Sequence, residues 1–275
     1  MLPHFLCIGA QKAGTSWLFN QLQEHPAIWM PPVKELHFFD HLFVAQNRRW
    51  TTWHIHQGVR TALKYQISNF YSPDWAFISY LVDLASSEIF TEAWYRRAFA
   101  RRAAEGKVLG DVTPEYSTLP VPGLRYVRAL LGAVKVIYII RDPVHRALSQ
   151  LRMNASRRKS GDLSEADWCD MAEDREIDNR GDYRAYVPRW REHWAESDLL
   201  FIPYGRIGSD PNGVMREIEG FLGLPPHEYP RADQRIHSTE ELPVPARAIE
   251  LLEARLAPQR AFLETAFDPS FVRQI

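Results

Sequence analysis

A chain of 275 residues, 45% of them hydrophobic, is too long and too apolar to be disordered, and it suits one large α/β domain. Thirty-three Lys and Arg against 34 Asp and Glu leave a net charge of −1, which argues against a nucleic-acid partner while permitting a local basic pocket. The two cysteines, Cys7 and Cys169, fall in no metal-ligand spacing and allow at most one disulfide. A reducing cytoplasm is the simplest compartment, and with no leader or bilayer-length apolar run in view no membrane attachment is expected.

In chain order, Phe5–Ile8 is a short apolar strand, followed by a Gly-bracketed turn and a helix from about Gly14 to Glu24, which His25-Pro26 ends. Pro31-Pro32 opens a stretch read as extended, Val33 to Asp40. From about 42 to 102 the sequence is irregular and aromatic-rich, with Trp50, Trp53, Tyr65, Phe70, Tyr71, Trp75, Tyr80 and Trp94. It reads as an insertion with a small core of its own that also serves specificity, since α/β folds place specificity in segments at strand ends. A second strand, Lys107–Thr113, stops at Pro114, and a helix over Gly123–Leu131 leads to the clearest strand, Lys135–Ile140. Its β-branched run predicts burial on both faces, as in a parallel sheet.

Pro143 opens the next helix, with Val144, Ala147, Leu148 and Leu151 at helical spacing. The charged stretch Arg157–Arg180 reads as a loop or a solvated helix. A helix from Gly181 turns Tyr186, Trp190 and Trp194 inward, Leu199–Ile202 is a fourth strand, and Ile207–Leu222 holds a helix ending at Gly223. The tail, Ala246–Phe267, is helical with an interruption near Pro258. There are no repeats and no inter-domain linker. Strands alternating with helices predict an α/β, three-layer sandwich with a central, mostly parallel sheet, formed by a single domain over 1–275.

Three stretches carry chemistry. The first is Gly9-Ala-Gln-Lys12-Ala-Gly14-Thr15-Ser16-Trp17, between the first strand and the first helix. Glycines let such a loop curl its N–H groups inward, and the following helix adds its positive end. Gly9 and Gly14 keep the P-loop spacing, but Thr15 stands where that motif has Lys, and the lysine has moved to position 12. The second is Arg141-Asp-Pro-x-x-Arg-Ala-x-Ser149, in which an arginine fork leaves a buried strand and a hydroxyl follows two helical turns on, a clamp for a second phosphate. Arg146 reads as helix scaffolding. The third is Lys34-Glu35-Leu36-His37-Phe38-Phe39-Asp40, whose alternation would turn Glu35, His37 and Phe39 one way and Leu36 and Phe38 the other.

Together these stretches resemble the sulfotransferases that use 3′-phosphoadenosine-5′-phosphosulfate (PAPS), in particular the heparan-sulfate-type branch and its bacterial relatives. The resemblance extends to Gly110-Asp-Val-Thr-Pro-Glu-Tyr116, Gly181-Asp-Tyr183 and Phe221-Leu-Gly-Leu224. It implies a P-loop-like phosphosulfate-binding loop formed by Lys12, Ala13, Gly14, Thr15, Ser16 and Trp17, and a 3′-phosphate site at Arg141 and Ser149. It assigns Glu35 as the catalytic base; with it, Lys12 would neutralise the leaving phosphate and His37 would orient Glu35 or the acceptor. PAPS would be the co-substrate and 3′,5′-ADP the product, with no metal. The acceptor would be a small molecule or a saccharide, and segment 42–102 its cap.

Two departures stand out. Heparan-type enzymes carry a Lys where this chain has Val112, which points away from heparan as the acceptor. Their C-terminal Lys-Gly-Arg loop is replaced by Gln234-Arg235-Ile236-His237-Ser238-Thr239. The rival readings are a P-loop-type nucleotide kinase or NTPase, with Asp111 or Asp142 holding Mg²⁺, and a nucleotide-binding pseudoenzyme.

Overall fold

The run Lys135–Ile140 is a strand whose last five residues are all buried in the computed structural model, which describes residues 1–69, 71–86, 88–158, 163–234 and 242–275. It is β4 of a five-stranded sheet of order β2-β3-β1-β4-β5, with β1 at Phe5–Gly9, β2 at Ile28–Trp29, β3 at Val108–Val112 and β5 at Leu199–Pro203. The β1–β3 and β2–β3 pairs are parallel. Phe5 sits opposite Gly110, where an added Cβ would lie 2.1 Å from the Phe5 ring, so the strands approach this closely only over a glycine. The helices are α1 (Thr15–Glu24), α2 (Phe38–Phe43), α3 (Arg48–Asn69), α4 (Trp75–Leu84), α5 (Glu92–Ala98), α6 (Val121–Leu131), α7 (Pro143–Arg157), α8 (Glu165–Glu173), α9 (Arg175–Asn179), α10 (Tyr183–His193), α11 (Gly205–Ser209), α12 (Pro211–Leu222), α13 (Ala246–Ala266) and α14 (Pro269–Val272). The α/β class and the parallel sheet read from the sequence are what the chain adopts. Among the described residues no helix is long and apolar enough to cross a membrane.

The chain divides into two units. One comprises Met1–Ile8 and Leu22–Val136. Here the structure departs from the sequence reading in two places. Segment 42–102 is mostly helical, built on α3, α4 and α5. Trp94 and Tyr95 are buried, the Trp94 indole donates to the Leu84 carbonyl (2.9 Å), and the Tyr80 hydroxyl donates to that of Ala98 (2.6 Å). Residues 33–37 are not a strand either. Glu35 (φ 64°) and His37 (φ 52°) take left-handed backbone and the chain then enters α2. A strand would have separated Phe38 from Phe39. On α2 both are fully buried, Phe38 stacking on Tyr95 at 4.3 Å between centroids and Phe39 meeting Tyr116 edge-on at 5.2 Å.

The other unit comprises Gly9–Gln21 and Ile137–Ile275. Its core joins Val144, Ala147 and Leu151 of α7, Trp168 and Met171 of α8, Ile177 of α9, and Ala248, Leu252 and Leu256 of α13. The charged stretch after Arg157 therefore anchors two short helices by buried residues rather than forming a solvated element. α13 runs through Pro258 without a break, because Leu252 and Leu256 before the proline and Leu263 after it are all buried and hold both halves in line. Asp210 caps α12 by accepting from the Gly213 amide (3.0 Å), which splits the single helix read over Ile207–Leu222 into α11 and α12.

Candidate active site

The loop between β1 and α1 is shaped by left-handed backbone at Lys12 (φ 67°) and Gly14 (φ 84°). A Cβ at Gly14 would lie 2.7 Å from Ile207 Cδ1, so glycine is demanded there by conformation and by space. The Ala10 amide donates to the Ile139 carbonyl of β4 (2.8 Å) and the Ala13 amide to the Ala10 carbonyl (3.1 Å), which closes the curl. Thr15 and Ser16 then open α1, where helix amides face outward and the dipole favours an anion. Trp17 is 6% exposed and its indole donates to the Ala232 carbonyl (2.7 Å). Its ring therefore ties this end of the loop to Ala232.

Arg141 follows β4 directly. Its Nη1 donates to the Lys12 carbonyl at 2.6 Å, across 129 residues of sequence, and its guanidinium lies over the Tyr204 ring at 4.3 Å. The Arg141 amide donates to the Tyr183 hydroxyl (3.3 Å). Arg141 Nε is buried and has no hydrogen-bond partner among the described residues. Burial lowers the pKa of this group, and a guanidinium stays charged regardless. A part-buried guanidinium is thus fastened to the main chain of the loop between β1 and α1. Ser149 is half-buried on α7, downstream of the Asp142 cap. Arg146, fully buried, donates to Gln150 Oε1 (2.8 Å) and to the Ile177 carbonyl (2.7 Å); burial pushes its pKa down to about 10. It is scaffold, as its place in the motif predicted.

The stretch containing Glu35 belongs to the other unit. Lys34 Nζ pairs with Glu35 Oε1, and His37 Nε2 lies 3.6 Å from Glu35 Oε2. His37 Nδ1 faces Asp40 Oδ2 at 3.1 Å, and Asp40 Oδ2 also accepts from Asn47 Nδ2 (2.8 Å). His37 and Asp40 are fully buried, whereas the Glu35 side chain is 23% exposed. The His37 ring stands edge-on to Trp50 (4.6 Å) and to His54 (4.7 Å), and His54 Nε2 meets the Lys34 carbonyl at 3.0 Å. Burial alone would raise the Glu35 pKa; the Lys34 ammonium and His37 outweigh it and hold the carboxyl well below the usual carboxylate range. Burial would likewise lower the His37 pKa, but Asp40, Glu35 and Glu115 raise it well above 6.5. Glu35 is thus a partly exposed carboxylate held by Lys34 and faced by a histidine that a buried carboxylate orients.

A second network braces this stretch. The Phe38 amide donates to the Tyr116 hydroxyl (3.1 Å), which donates to Asp111 Oδ2 (2.8 Å). Tyr95 donates to the same oxygen (2.9 Å) and Thr113 to Asp111 Oδ1 (2.7 Å). Asp142 accepts from the His145 amide (2.9 Å) and from Arg260 (2.7 Å). Both carboxylates that a Mg²⁺-dependent nucleotide enzyme would use are thereby committed to structure. Sequence reasoning found Glu35 and His37 but not Asp40, Asn47, Trp50 or His54 around them. The His-x-x-Asp spacing was the one local signal available. Arg235 and Ser238 lie outside the described residues.

A family model described as "Sulfotransferase family" matches residues 3–228. Among curated proteins, heparan sulfate glucosamine 3-O-sulfotransferase 3A1 of Mus musculus is 25% identical over 236 residues, 81% of this chain and 46% of that protein. Heparan sulfate glucosamine 3-O-sulfotransferase 6 of Homo sapiens is 29% identical, over 81% and 52%. The chain spans about half the length of the curated relatives it matches. A crystal structure of a sulfotransferase from Alicyclobacillus acidocaldarius superposes with a TM-score of 0.68 at 24% identity, covering 99% of both chains, and so shares the fold.

Proposed function

The chain belongs to the sulfotransferase family, and from that premise we propose that it moves the sulfuryl group of PAPS to a hydroxyl, less readily an amine, of a small-molecule or saccharide acceptor. The observation that supports this reading is the bond from Arg141 Nη1 to the Lys12 carbonyl, which brings together the two stretches read from the sequence as phosphate motifs. In the proposed reaction the acceptor oxygen forms a bond to sulfur as the bond from sulfur to the 5′-phosphate oxygen breaks, and the acceptor proton passes to Glu35. Lys12 and the amides from Ala13 to Trp17 balance the charge that builds on the leaving phosphate, while Arg141 and Ser149 hold the 3′-phosphate. His37, oriented by Asp40, fixes the Glu35 carboxylate. Lys34 and His37 keep Glu35 in its ionised form, the form able to accept that proton.

The exposed rings of segment 42–102, Trp53, Tyr65, Tyr71 and Trp75, supply the proposed surface for the acceptor. Val112 in place of a lysine directs the choice away from heparan. Kinetics with labelled PAPS and a panel of acceptors test the reading. Glu35→Gln should lower kcat about 10²–10⁴-fold and leave 3′,5′-ADP binding intact. Lys12→Ala should weaken 3′,5′-ADP and slow transfer together. Wild-type turnover in Glu35→Gln would remove the base assignment, and transfer that requires ATP and Mg²⁺ would return the kinase reading.

A further inference from the structure

We propose that Glu35, His37 and His54 form a binding site for a divalent transition-metal ion of the zinc or cobalt class, and that occupancy withdraws Glu35 from sulfuryl transfer. The second half of the proposal rests on the reading of Glu35 as the base; the first does not. One ligand atom of each of the three residues lies within 4.8 Å of those of the other two. His37 is 0% exposed, and among the described residues its Nε2 has no hydrogen-bond partner, its nearest acidic oxygen, Glu35 Oε2, lying 3.6 Å away. A buried ring nitrogen left unsatisfied is costly unless something completes it.

The surroundings match what metal-bound histidines need. Asp40 meets His37 Nδ1 at 3.1 Å and is itself held by Asn47, so the Nδ1 proton stays and it is Nε2 that gives up its proton, and then offers its lone pair, when a metal binds. The Lys34 carbonyl accepts from His54 Nε2, which leaves Nδ1 of that ring as its ligand atom. Glu35 uses Oε1 for Lys34 and turns Oε2 toward His37. Two imidazoles and one carboxylate form a borderline donor set, suited to Zn²⁺ and Co²⁺ rather than to Mg²⁺ or Ca²⁺. Metal–ligand bonds of about 2.0–2.1 Å bring tetrahedral ligand atoms to roughly 3.4 Å, so the group must tighten by up to about 1.4 Å. Glu35 and His54, both only partly buried, have the freedom to do so. Ligation takes the Nε2 lone pair, and any proton on that nitrogen leaves to the buffer. With Oε2 engaged by a cation, Glu35 has lost the oxygen that would accept the acceptor's proton.

The test is a Co²⁺ titration of the chelator-stripped full chain, followed by visible absorption and then by Zn²⁺ displacement. A saturable 1:1 signal with the intensity of a low-coordinate site is expected. Glu35→Gln and His54→Ala should each weaken it at least tenfold, and Asp40→Asn about 10–100-fold through its grip on His37. Thermal unfolding checks that the three variants remain folded; His54→Gln replaces His54→Ala if the alanine variant is not. Sulfuryl transfer should fall about 10²–10⁴-fold on saturation, the worth of a placed base, and return on adding EDTA. Absence of a saturable Co²⁺ signal, or an unchanged signal in all three variants, overturns the site. Undiminished transfer at saturating Co²⁺ overturns the claim about Glu35. A chain that binds Co²⁺ as expected yet transfers no sulfuryl group even without it keeps the site and loses the function proposed above.

Discussion

Gly14 bears two constraints at once, and they separate experimentally. Its φ of 84° strains any residue with a Cβ, and the added atom would sit 2.7 Å from Ile207 Cδ1. Left-handed backbone at a non-glycine residue costs about 1–3 kcal/mol. Gly14→Ala should lose at least that much stability in urea unfolding and should weaken 3′,5′-ADP by more than the stability loss alone implies, because the loop amides would turn away from the phosphate. Ile207→Ala on that background removes the contact and leaves the backbone strain. Partial recovery is the expected result; full recovery would mean that space, not conformation, fixes the glycine. Arg141 is likewise more than a charge. It holds the Lys12 carbonyl, lies over Tyr204 and keeps Nε unspent. Arg141→Lys keeps the charge but loses the planar fork, so 3′,5′-ADP binding in a calorimeter should weaken at least tenfold. Unchanged affinity would place the 3′-phosphate elsewhere.

The six-residue α2 is too short to hold itself, and it begins at the residue after His37. Tyr116, taking the Phe38 amide and giving its own proton to Asp111, supplies the missing hold. Tyr116→Phe should cost about 1–3 kcal/mol, because it strands a buried N–H and removes one donor from a buried carboxylate. Transfer should slow while 3′,5′-ADP affinity is unchanged; a parallel loss of both would mean a general folding defect. Asp111 adds a pH signature. Burial raises its pKa, and the three hydroxyls pull it only part of the way back. An acid that holds its proton more tightly when folded stabilises the fold most at low pH, and this contribution fades as pH rises from the ordinary 3.8 through the raised value. Asp111→Asn should therefore gain stability relative to wild type as pH rises through that window, measured by urea midpoints; a constant difference would mean that Asp111 does not titrate there. The same elements explain what was legible. β4, α1 and α7 announce themselves by β-branched runs, 3.6-residue spacing and Pro or Asp at their starts. β2 is two residues long and carries no pattern. Residues 33–40 alternate like a strand, but left-handed turns at Glu35 and His37, which nothing in those residue types demands, bring Glu35, His37 and Asp40 together. α3 and α4 are hidden because Trp53, Tyr65 and Trp75 face solvent and blur the apolar stripe.

At the scale of the molecule, the residues of the proposed chemistry divide between the two units. Lys12 to Trp17, Arg141 and Ser149 belong to the unit of Gly9–Gln21 and Ile137–Ile275, and Glu35, His37 and Asp40 to the other. The first set is already cross-linked by Arg141, so the nucleotide product should need little from Glu35 to bind. This predicts an asymmetry. 3′,5′-ADP at about 100 times its Kd should stabilise the chain by about 2.7 kcal/mol if it binds only the folded state. Hydrogen exchange should slow chiefly over Gly9–Gln21 and Arg141–Ser149. Glu35→Gln should keep both effects, while Lys12→Ala should diminish them. Protection confined to 22–136, or stabilisation that vanishes with Glu35→Gln, would place nucleotide recognition in the other unit. In that case Glu35 would be a binding group rather than a base, since a base for the acceptor's proton is not needed to hold the spent nucleotide.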